Sequence, residues 1–379
     1  MKKKIPTRIL TASLLCLLAV GAIVYLALLF TSMWQDEPIY PGPGVTEKQM
    51  LSDYNPELKG TNGDTEIYVL DSGVPGASIL VLGGTHPNEP SGVVAAVALI
   101  ETCTPKTGVM YVIPRANHSA FTCTDPQEAA PMFYTVQTAG GERTFRFGSR
   151  ATNPIDQWPD SDVYVHRTSG QTPSGSETRN LNRAYPGSNS GTFTERVTYG
   201  ITEFIKQNNV SITVDLHEAS PEYPTINAIV AHQDAIELAS WASMDMQMEG
   251  MTISIEASPT NLHGLSHREL GDYTDTLAVL METANASQGR LRGRTDADLV
   301  VTGQDHYYYL AGKYGALYVD FPETGIPLDV RVARHICGVE QLCNAYNELS
   351  GTDTLDLGDL PSYSEIIANG VGAYLNSGN

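Results

Sequence analysis

Short apolar runs that alternate with longer amphipathic runs are the feature that most constrains how this chain can fold. The runs of strand length are 77–82, 108–113, 210–214, 277–281 and 316–319. Apolar residues at helical spacing follow Pro90 over 91–102 and recur over 192–205 and 330–349. Strands that alternate with helices are typical of α/β domains with a largely parallel sheet.

Residues 9–34 form an uncharged run of 26 positions, dominated by Leu, Ala, Val and Ile. A helix of that length reaches roughly 39 Å, more than the roughly 30 Å of a membrane's hydrocarbon core. Four basic residues precede the run: Lys2, Lys3, Lys4 and Arg8. Acidic residues follow it, which places the amino end in the cytoplasm and the bulk of the chain outside. A cleaved signal peptide is the alternative, but its apolar core would span only about 7–15 residues.

The sequence predicts four segments. Residues 1–35 are the basic start and the transmembrane signal anchor, and the Pro-rich stretch 36–64 is a linker. A folded domain covers 65–350, and 351–379 is a tail. Within the domain, residues 115–190 are polar and rich in Gly, Pro, Ser and Thr, which predicts a long irregular excursion of the functional kind.

Charge and cysteine content narrow the class of protein. Beyond residue 35 the chain has 19 basic and 43 acidic residues, and such a surface repels phosphate backbones, so no nucleic-acid partner is expected. A Cys103–Cys123 disulfide is compatible with an oxidising compartment. Cys337 and Cys343 fall on different faces of a predicted helix and are not expected to bond. No cysteine spacing resembles a zinc site.

The first candidate motif follows the first apolar run directly. His86 and Glu89 lie three residues apart in a strand-to-helix turn that ends at Pro90, so both side chains can converge on one point. Taken alone, a helix-capping carboxylate beside a surface histidine explains the pair equally well.

A second motif favours a metal site over a helix cap. Run 210–214 continues into Asp215-Leu216-His217, which places a histidine at a strand end, where functional residues of open α/β sheets gather. Two histidines and one carboxylate form the ligand set of a catalytic zinc with one open position. We therefore expect one zinc ion per chain on His86, Glu89 and His217, with a satisfied core histidine as the alternative for His217.

Between these motifs lies a loop with two arginines and two asparagines: Arg179, Asn180, Asn182 and Arg183. Guanidinium and amide groups in a tight loop can bind a carboxylate or a developing oxyanion. A solvated turn is the alternative.

In this order, His-x-x-Glu, Asn-Arg and strand-Asp-Leu-His resemble the zinc carboxypeptidase superfamily, and most closely its succinylglutamate desuccinylase/aspartoacylase branch. The resemblance covers roughly residues 75–345. It implies a mixed, largely parallel sheet flanked by helices, with zinc on the three ligands named above. It also implies that Asn182 and Arg183 bind the free carboxylate of a substrate.

The same resemblance implies a catalytic glutamate on a later strand. Glu282 ends an apolar run 65 residues after His217, whereas the competing Glu323 lies 106 residues after it. The arginine that polarises the scissile carbonyl has no clean match; Arg179 is the nearest candidate, and Arg167 remains open.

One residue departs from the family's pattern. Pro87 stands in the metal turn where most relatives have glycine.

The expected function is therefore that of a membrane-anchored zinc hydrolase with an extracytoplasmic catalytic domain. It would cleave an amide bond in a carboxylate-bearing N-acyl amino acid or peptide, cell-wall peptides included, by zinc-activated water. Glu282 would act as the general base. The alternative is a non-catalytic, membrane-tethered domain that keeps the fold and binds carboxylates or peptides.

Overall fold

The computed structural model of the protein describes residues 6–125 and 130–377. The chain divides into two compact units, residues 1–37 and residues 38–379. The first unit contains one long helix. The second contains every strand among the described residues and all the other α-helices.

Helix α1 (Thr7–Ser32) coincides closely with the uncharged run, and none of its residues is buried. Among the described residues it is the one helix that is long and apolar enough to cross a membrane, judged by length and composition. An N-terminal signal sequence has the same properties. Three of the basic residues used to predict the orientation of this helix, Lys2, Lys3 and Lys4, lie outside the part of the chain that the structure describes.

The second unit is built on strands β1 (Glu47–Met50), β2 (Glu66–Asp71), β3 (Ser78–Leu82), β4 (Val109–Ile113), β5 (Phe133–Thr138), β6 (Gly141–Arg146), β7 (Ile212–Ala219), β8 (Ala228–Ala231), β9 (Ser254–Ala257) and β10 (Leu277–Ala284). Eight of them form one sheet in the order β1-β2-β4-β3-β7-β10-β8-β9, and β5 and β6 form a separate hairpin. The four central strands, β4-β3-β7-β10, are parallel. Three pairs nearer the edges, β1/β2, β2/β4 and β10/β8, are antiparallel.

The helices of this unit are α2 (Pro90–Thr102), α3 (Phe193–Asn208), α4 (Ile236–Met248), α5 (Ser266–Tyr273), α6 (Ala297–Thr302), α7 (His306–Lys313), α8 (Leu328–Ser350) and α9 (Tyr363–Asn369). Alternate residues of each strand serve opposite faces of the sheet. Ile79 and Val81 of β3 pack in the core formed with α2, α4 and α8, whereas Leu80 and Leu82 pack in the core formed with α3. The predicted mixed, largely parallel sheet flanked by helices is confirmed.

Two local predictions were wrong. Residues 316–319 form no strand; they follow α7 as an irregular segment in which Tyr318 is 65% exposed, so no sheet covers the apolar run. The excursion 115–190 is not irregular throughout, because it contains the β5–β6 hairpin. Tyr134, Val136 and Phe145 of this hairpin are buried in the main core.

The structure also differs from the predicted linker and tail. Residues 47–50 pair with β2, and Leu51 and Leu58 are fully buried, so much of the stretch 36–64 belongs to the folded unit. After residue 350, Leu355 and Ile366 pack in the main core. Apolar side chains at these positions remove surface from water, which an extended linker or a free tail could not do.

A buried ion pair joins the hairpin to both ends of this unit. Arg143 of β6 contacts Glu101 of α2 at 2.7 Å, with side chains 9% and 0% exposed. The Arg143 guanidinium also donates to the main-chain carbonyls of Pro38 and Asn376, at 2.8 and 3.0 Å. Glu101 accepts the main-chain N–H of Asn376 in return. One carboxylate and one guanidinium therefore fasten the middle of the hairpin.

All five cysteines lie within the described residues, and all are free. Cys103 and Cys123 are therefore not joined in this structure. The Cys103 thiol donates instead to the Leu357 carbonyl at 3.2 Å.

Candidate metal centre

The three predicted metal ligands lie together at the carboxyl edge of the parallel strands. His86 and Glu89 occupy the turn between β3 and α2, and His217 lies on β7, which pairs with β3 in parallel. One ligand atom from each side chain lies within 4.8 Å of the others. All three residues are at most 2% exposed. The two motifs thus converge because their strands are neighbours.

An acceptor at the far side of each ring sets the histidine tautomer, through a hydrogen bond at His86 and through an ion-pair contact at His217. His86 Nε2 lies 2.8 Å from Asn180 Oδ1, and His217 Nε2 lies 2.9 Å from Asp215 Oδ2. These oxygens only accept, so each Nε2 carries the hydrogen and each Nδ1 has a lone pair. The Nδ1 atoms face the two oxygens of Glu89, at 2.8 and 2.9 Å. Lone pairs directed at a carboxylate need a proton or a cation between them, and this donor set fits zinc.

Other groups fix the two acceptors in place. The Asn180 amide nitrogen donates to Glu177 at 2.7 Å, which leaves its oxygen for His86. Asp215 Oδ1 accepts from the Thr85 hydroxyl at 2.7 Å. The orientation of both imidazole rings is therefore determined by buried neighbours.

The electrostatics of the centre favour positive charge beside Glu89. Burial by itself would raise the pKa of Glu89, but His86 and His217 hold it well below its usual value. Burial likewise opposes charge on His217, yet Asp215 and Glu89 raise its pKa well above the usual value. The backbone N–H of Glu218 also donates to Glu89, at 3.0 Å.

The predicted catalytic glutamate lies beside these ligands. β10 runs parallel to β7, and Glu282 is the register partner of His217. Among the described residues, nothing hydrogen-bonds to the buried Glu282 Oε2 atom. Burial raises the pKa of this carboxyl to about 8; His217 opposes the shift, and Glu89 adds to it. The competing Glu323 is exposed, in a turn that follows no strand.

Asn182 and Arg183 follow Asn180 in a short 3₁₀ turn. The Asn182 side-chain oxygen accepts the N–H of Ser266, at the start of α5, at 2.8 Å. Arg183 donates to the Asn182 carbonyl at 2.6 Å, and its side chain is 20% exposed. Burial lowers the pKa of Arg183, while Glu177 and Glu282 act against this shift. The mostly buried Arg183 guanidinium therefore interacts electrostatically with Glu282.

The structure does not bring Arg179 to the ligands. Its Nε and Nη2 atoms bind both oxygens of Asp160, at 2.6 and 3.0 Å, and Nη1 donates to the Thr152 carbonyl. Together, the bidentate ion pair and the carbonyl contact engage all three guanidinium nitrogens. The other candidate, Arg167, is half exposed and lies 3.6 Å from Glu195.

The arginine beside the candidate metal ligands is Arg150, which the sequence analysis missed. Its Nη1 atom lies 3.0 Å from Glu89 Oε1 and 3.3 Å from His86 Nδ1. The side chain is 43% exposed, so Arg150 connects the buried candidate ligands with solvent. Arg150 belongs to no motif, and the only available signal was the strand-like alternation over 133–146 that places it just after a hairpin.

A second histidine cluster has satisfied hydrogen bonds. His166, His263 and Glu269 also offer donor atoms within 4.8 Å of one another. His166 Nε2 is 2.7 Å from the Tyr185 carbonyl, and its Nδ1 is 2.8 Å from the Ser169 hydroxyl. His263 Nδ1 is 2.8 Å from Glu269. These contacts give the cluster a structural explanation that needs no metal.

No protein-family model matches the chain, and no curated protein matches its sequence. Solved structures do resemble it. The ectoine utilization protein of Ruegeria pomeroyi is 16% identical over 79% of this chain and 63% of its own, with a TM-score of 0.44. A metallo-carboxypeptidase from Burkholderia cenocepacia is 9% identical over 85% and 68%, with a TM-score of 0.45. A succinylglutamate desuccinylase/aspartoacylase from Rhodobacter sphaeroides is 16% identical over 60% and 54%, with a TM-score of 0.37.

These structures come from the branch that the motifs resemble and from the metallocarboxypeptidases. The chain spans 63% of the length of the Ruegeria protein.

Proposed function

We propose that the protein is a membrane-anchored zinc hydrolase that cleaves an amide bond in a substrate with a free carboxylate. The observation that carries this proposal is the register of β10 on β7, which puts an unpartnered carboxyl, Glu282, beside the ligand His217. A binding protein would gain nothing from a buried carboxyl oxygen without a partner, because its desolvation is a cost.

His86, Glu89 and His217 would hold one zinc ion. When bound at such a site, zinc lowers the pKa of a water molecule and polarises a carbonyl group. The chain contributes fixed ligand geometry: Asn180 and Asp215 hold the outer nitrogen of each ring, so each Nδ1 faces the centre.

Glu282 would move the proton. Its Oε2 atom has no competing donor among the described residues, so it is free to take a proton from water and pass it to the leaving amine. Burial raises the pKa of Glu282 to about 8, which makes its carboxylate a stronger base for the first of these transfers.

Two arginines would have separate roles, one at the developing oxyanion and one at the substrate carboxylate. Arg150, rather than Arg179, would face the developing oxyanion, since its guanidinium contacts Glu89 and its side chain is partly exposed to solvent. Arg183 would bind the substrate carboxylate, and the Asn182 carbonyl that it contacts would orient it. The distance between the two arginines would set the span between carboxylate and scissile bond.

The substrate class follows from these roles: an N-acyl amino acid or a short peptide with a free carboxylate. Helix α1 would anchor the protein, with the second unit outside the cytoplasm.

The test uses the full-length, zinc-loaded protein in detergent. We expect hydrolysis of N-acyl amino acids or short peptides and poor hydrolysis of the same compounds with the carboxylate amidated. Carboxylate-dependent binding without turnover in either panel would contradict an enzyme and support a binding domain.

A further inference from the structure

We propose that Asp125 is a positioning residue that holds Arg150 against the metal ligands. The inference rests on the proposed function, and it assigns a catalytic purpose to the long excursion between β4 and α3. Asp125 acts through the main chain of the Arg150 loop, and it lies 25 residues earlier in the sequence.

One carboxylate holds the loop at two consecutive residues. Asp125 Oδ1 accepts the Ser149 hydroxyl at 2.6 Å, and Oδ2 accepts the Arg150 backbone N–H at 3.2 Å. The Ser149 oxygen in turn accepts the Ala151 N–H at 3.0 Å. Asn88, in the metal turn, lies 3.5 Å from Asp125 Oδ2. The carboxylate thus connects the turn that carries two ligands with the loop that carries the arginine.

A close backbone contact adds to this restraint. Gly148 has a φ of +72°, and a Cβ built on it would lie 2.3 Å from the Cβ of Pro87. Only glycine lets the loop approach the metal turn this closely. Pro87, the residue that departs from the family's pattern, therefore forms the surface on which the Arg150 loop rests.

These restraints matter because the Arg150 side chain is long and 43% exposed. A free arginine of this kind samples many rotamers, and confining it costs conformational entropy. Fixing the main chain at Ser149 and Arg150 removes the backbone part of this entropy cost before the substrate binds. Small misplacements of a reacting group are enough to slow catalysis by about 10²-fold.

The experiment is a double-mutant cycle on the full-length zinc protein. We expect Asp125→Ala to lower kcat by roughly 10- to 100-fold, with KM changed less than about twofold and zinc content unchanged. In an Arg150→Ala background, Asp125→Ala should have no further effect on kcat. The matched control is Asp160→Ala, which removes a carboxylate from another arginine of the same excursion, Arg179. It should leave kcat near the wild-type value.

A readout without turnover accompanies the cycle. Hydrogen exchange at the Arg150 amide should be faster in Asp125→Ala and intermediate in Asp125→Asn, which keeps one acceptor. Unchanged exchange, or independent effects of Asp125→Ala and Arg150→Ala on kcat, would overturn the proposal. So would full activity of Arg150→Ala. If the wild-type protein hydrolyses nothing, the proposed function fails, and the exchange measurement alone decides whether Asp125 holds the loop.

Discussion

Glu282 on β10 is the direct register partner of His217 on β7, so the candidate base and a candidate metal ligand stand side by side on parallel strands. Adjacent strands lie about 4.8 Å apart, and register partners point to the same face of a sheet. The ladder of backbone hydrogen bonds therefore holds the two groups at one height. A change in their relative position would require the sheet itself to shift.

The first prediction concerns this glutamate. Glu282→Gln keeps the shape of the side chain but removes proton transfer, so kcat should fall by roughly 10²- to 10⁴-fold with little change in substrate binding or zinc content. Steady-state kinetics and elemental analysis measure both. Glu323→Gln is the control and should behave as the wild type. A dead Glu323 variant together with an active Glu282 variant would contradict the assignment.

The second prediction concerns the metal. His86→Ala and His217→Ala each remove one of three ligands, so bound zinc should fall from about one per chain to near zero after dialysis. Elemental analysis of the purified protein measures it. His263→Ala, in the cluster with satisfied hydrogen bonds, should keep its zinc. Equal zinc in wild type, His86→Ala and His217→Ala would exclude this site.

A third prediction separates the roles of the arginines. Arg183→Ala should raise KM for carboxylate-bearing substrates by roughly 10- to 100-fold, the value of a charge-assisted hydrogen bond, while zinc stays bound. The same variant should leave KM for amidated analogues nearly unchanged. Arg179→Ala should keep KM and kcat near wild type, since Asp160 binds that guanidinium. A selective KM increase in the Arg179 variant would show that Arg179, and not Arg183, binds the substrate carboxylate.

Stability should depend on pH through Glu340, on α8. Burial raises the pKa of this carboxyl from 4.5 to about 7, and the nearby Glu249 and Asp356 add to the shift. The folded state therefore keeps a proton that the unfolded state loses. This contribution is complete below pH about 4.5 and is lost as pH rises to about 7.

Glu340→Gln mimics the protonated form, so the variant should match the wild type near pH 4.5 and be more stable at pH 8. Because the group is only half buried, solvent screening limits the gain to about 1 kcal/mol. Urea denaturation at both pH values measures it. Glu348→Gln, on the exposed side of the same helix, is the control. An equal gain in stability at both pH values would show that the titration of Glu340 is not its cause.

The last prediction concerns α1. If this helix remains as an anchor, carbonate extraction should leave the full-length protein in the membrane pellet, and protease added outside should digest the second unit. A soluble product that begins near residue 23 would identify the segment as a cleaved signal peptide.

The sequence was most informative where chemistry is local. The proximity of His86, Glu89 and His217 could be predicted because each follows an apolar run that becomes a central parallel strand, and such strands end at one edge. The position of Glu282 beside them could be predicted for the same reason, because it also lies on a central parallel strand. The apolar run 316–319 carried a similar signal but forms no strand, because burial depends on neighbours that a short run does not specify.

The arginines could not be assigned in this way. Arg179 lies three residues before the Asn-Arg pair in sequence, but a bidentate contact with Asp160 occupies it. Arg150 lies far from every motif, and the hairpin and the contacts of Asp125 carry it to the metal ligands. The position of a side chain that depends on long-range packing leaves no periodic signal in the sequence. The alternation of the hairpin strands could have indicated the hairpin, but not the contacts of Arg150.

The contact of Arg143 and Glu101 with Asn376 has a practical consequence for handling the protein. Proteolytic trimming that removes Asn376 would take away main-chain partners of both charged groups. The hairpin that they fasten leads, four residues after its last strand, to Arg150. We therefore expect a preparation nicked near its carboxyl end to lose the proposed activity although every candidate site residue remains intact. Mass spectrometry of the intact chain should precede any comparison of variants.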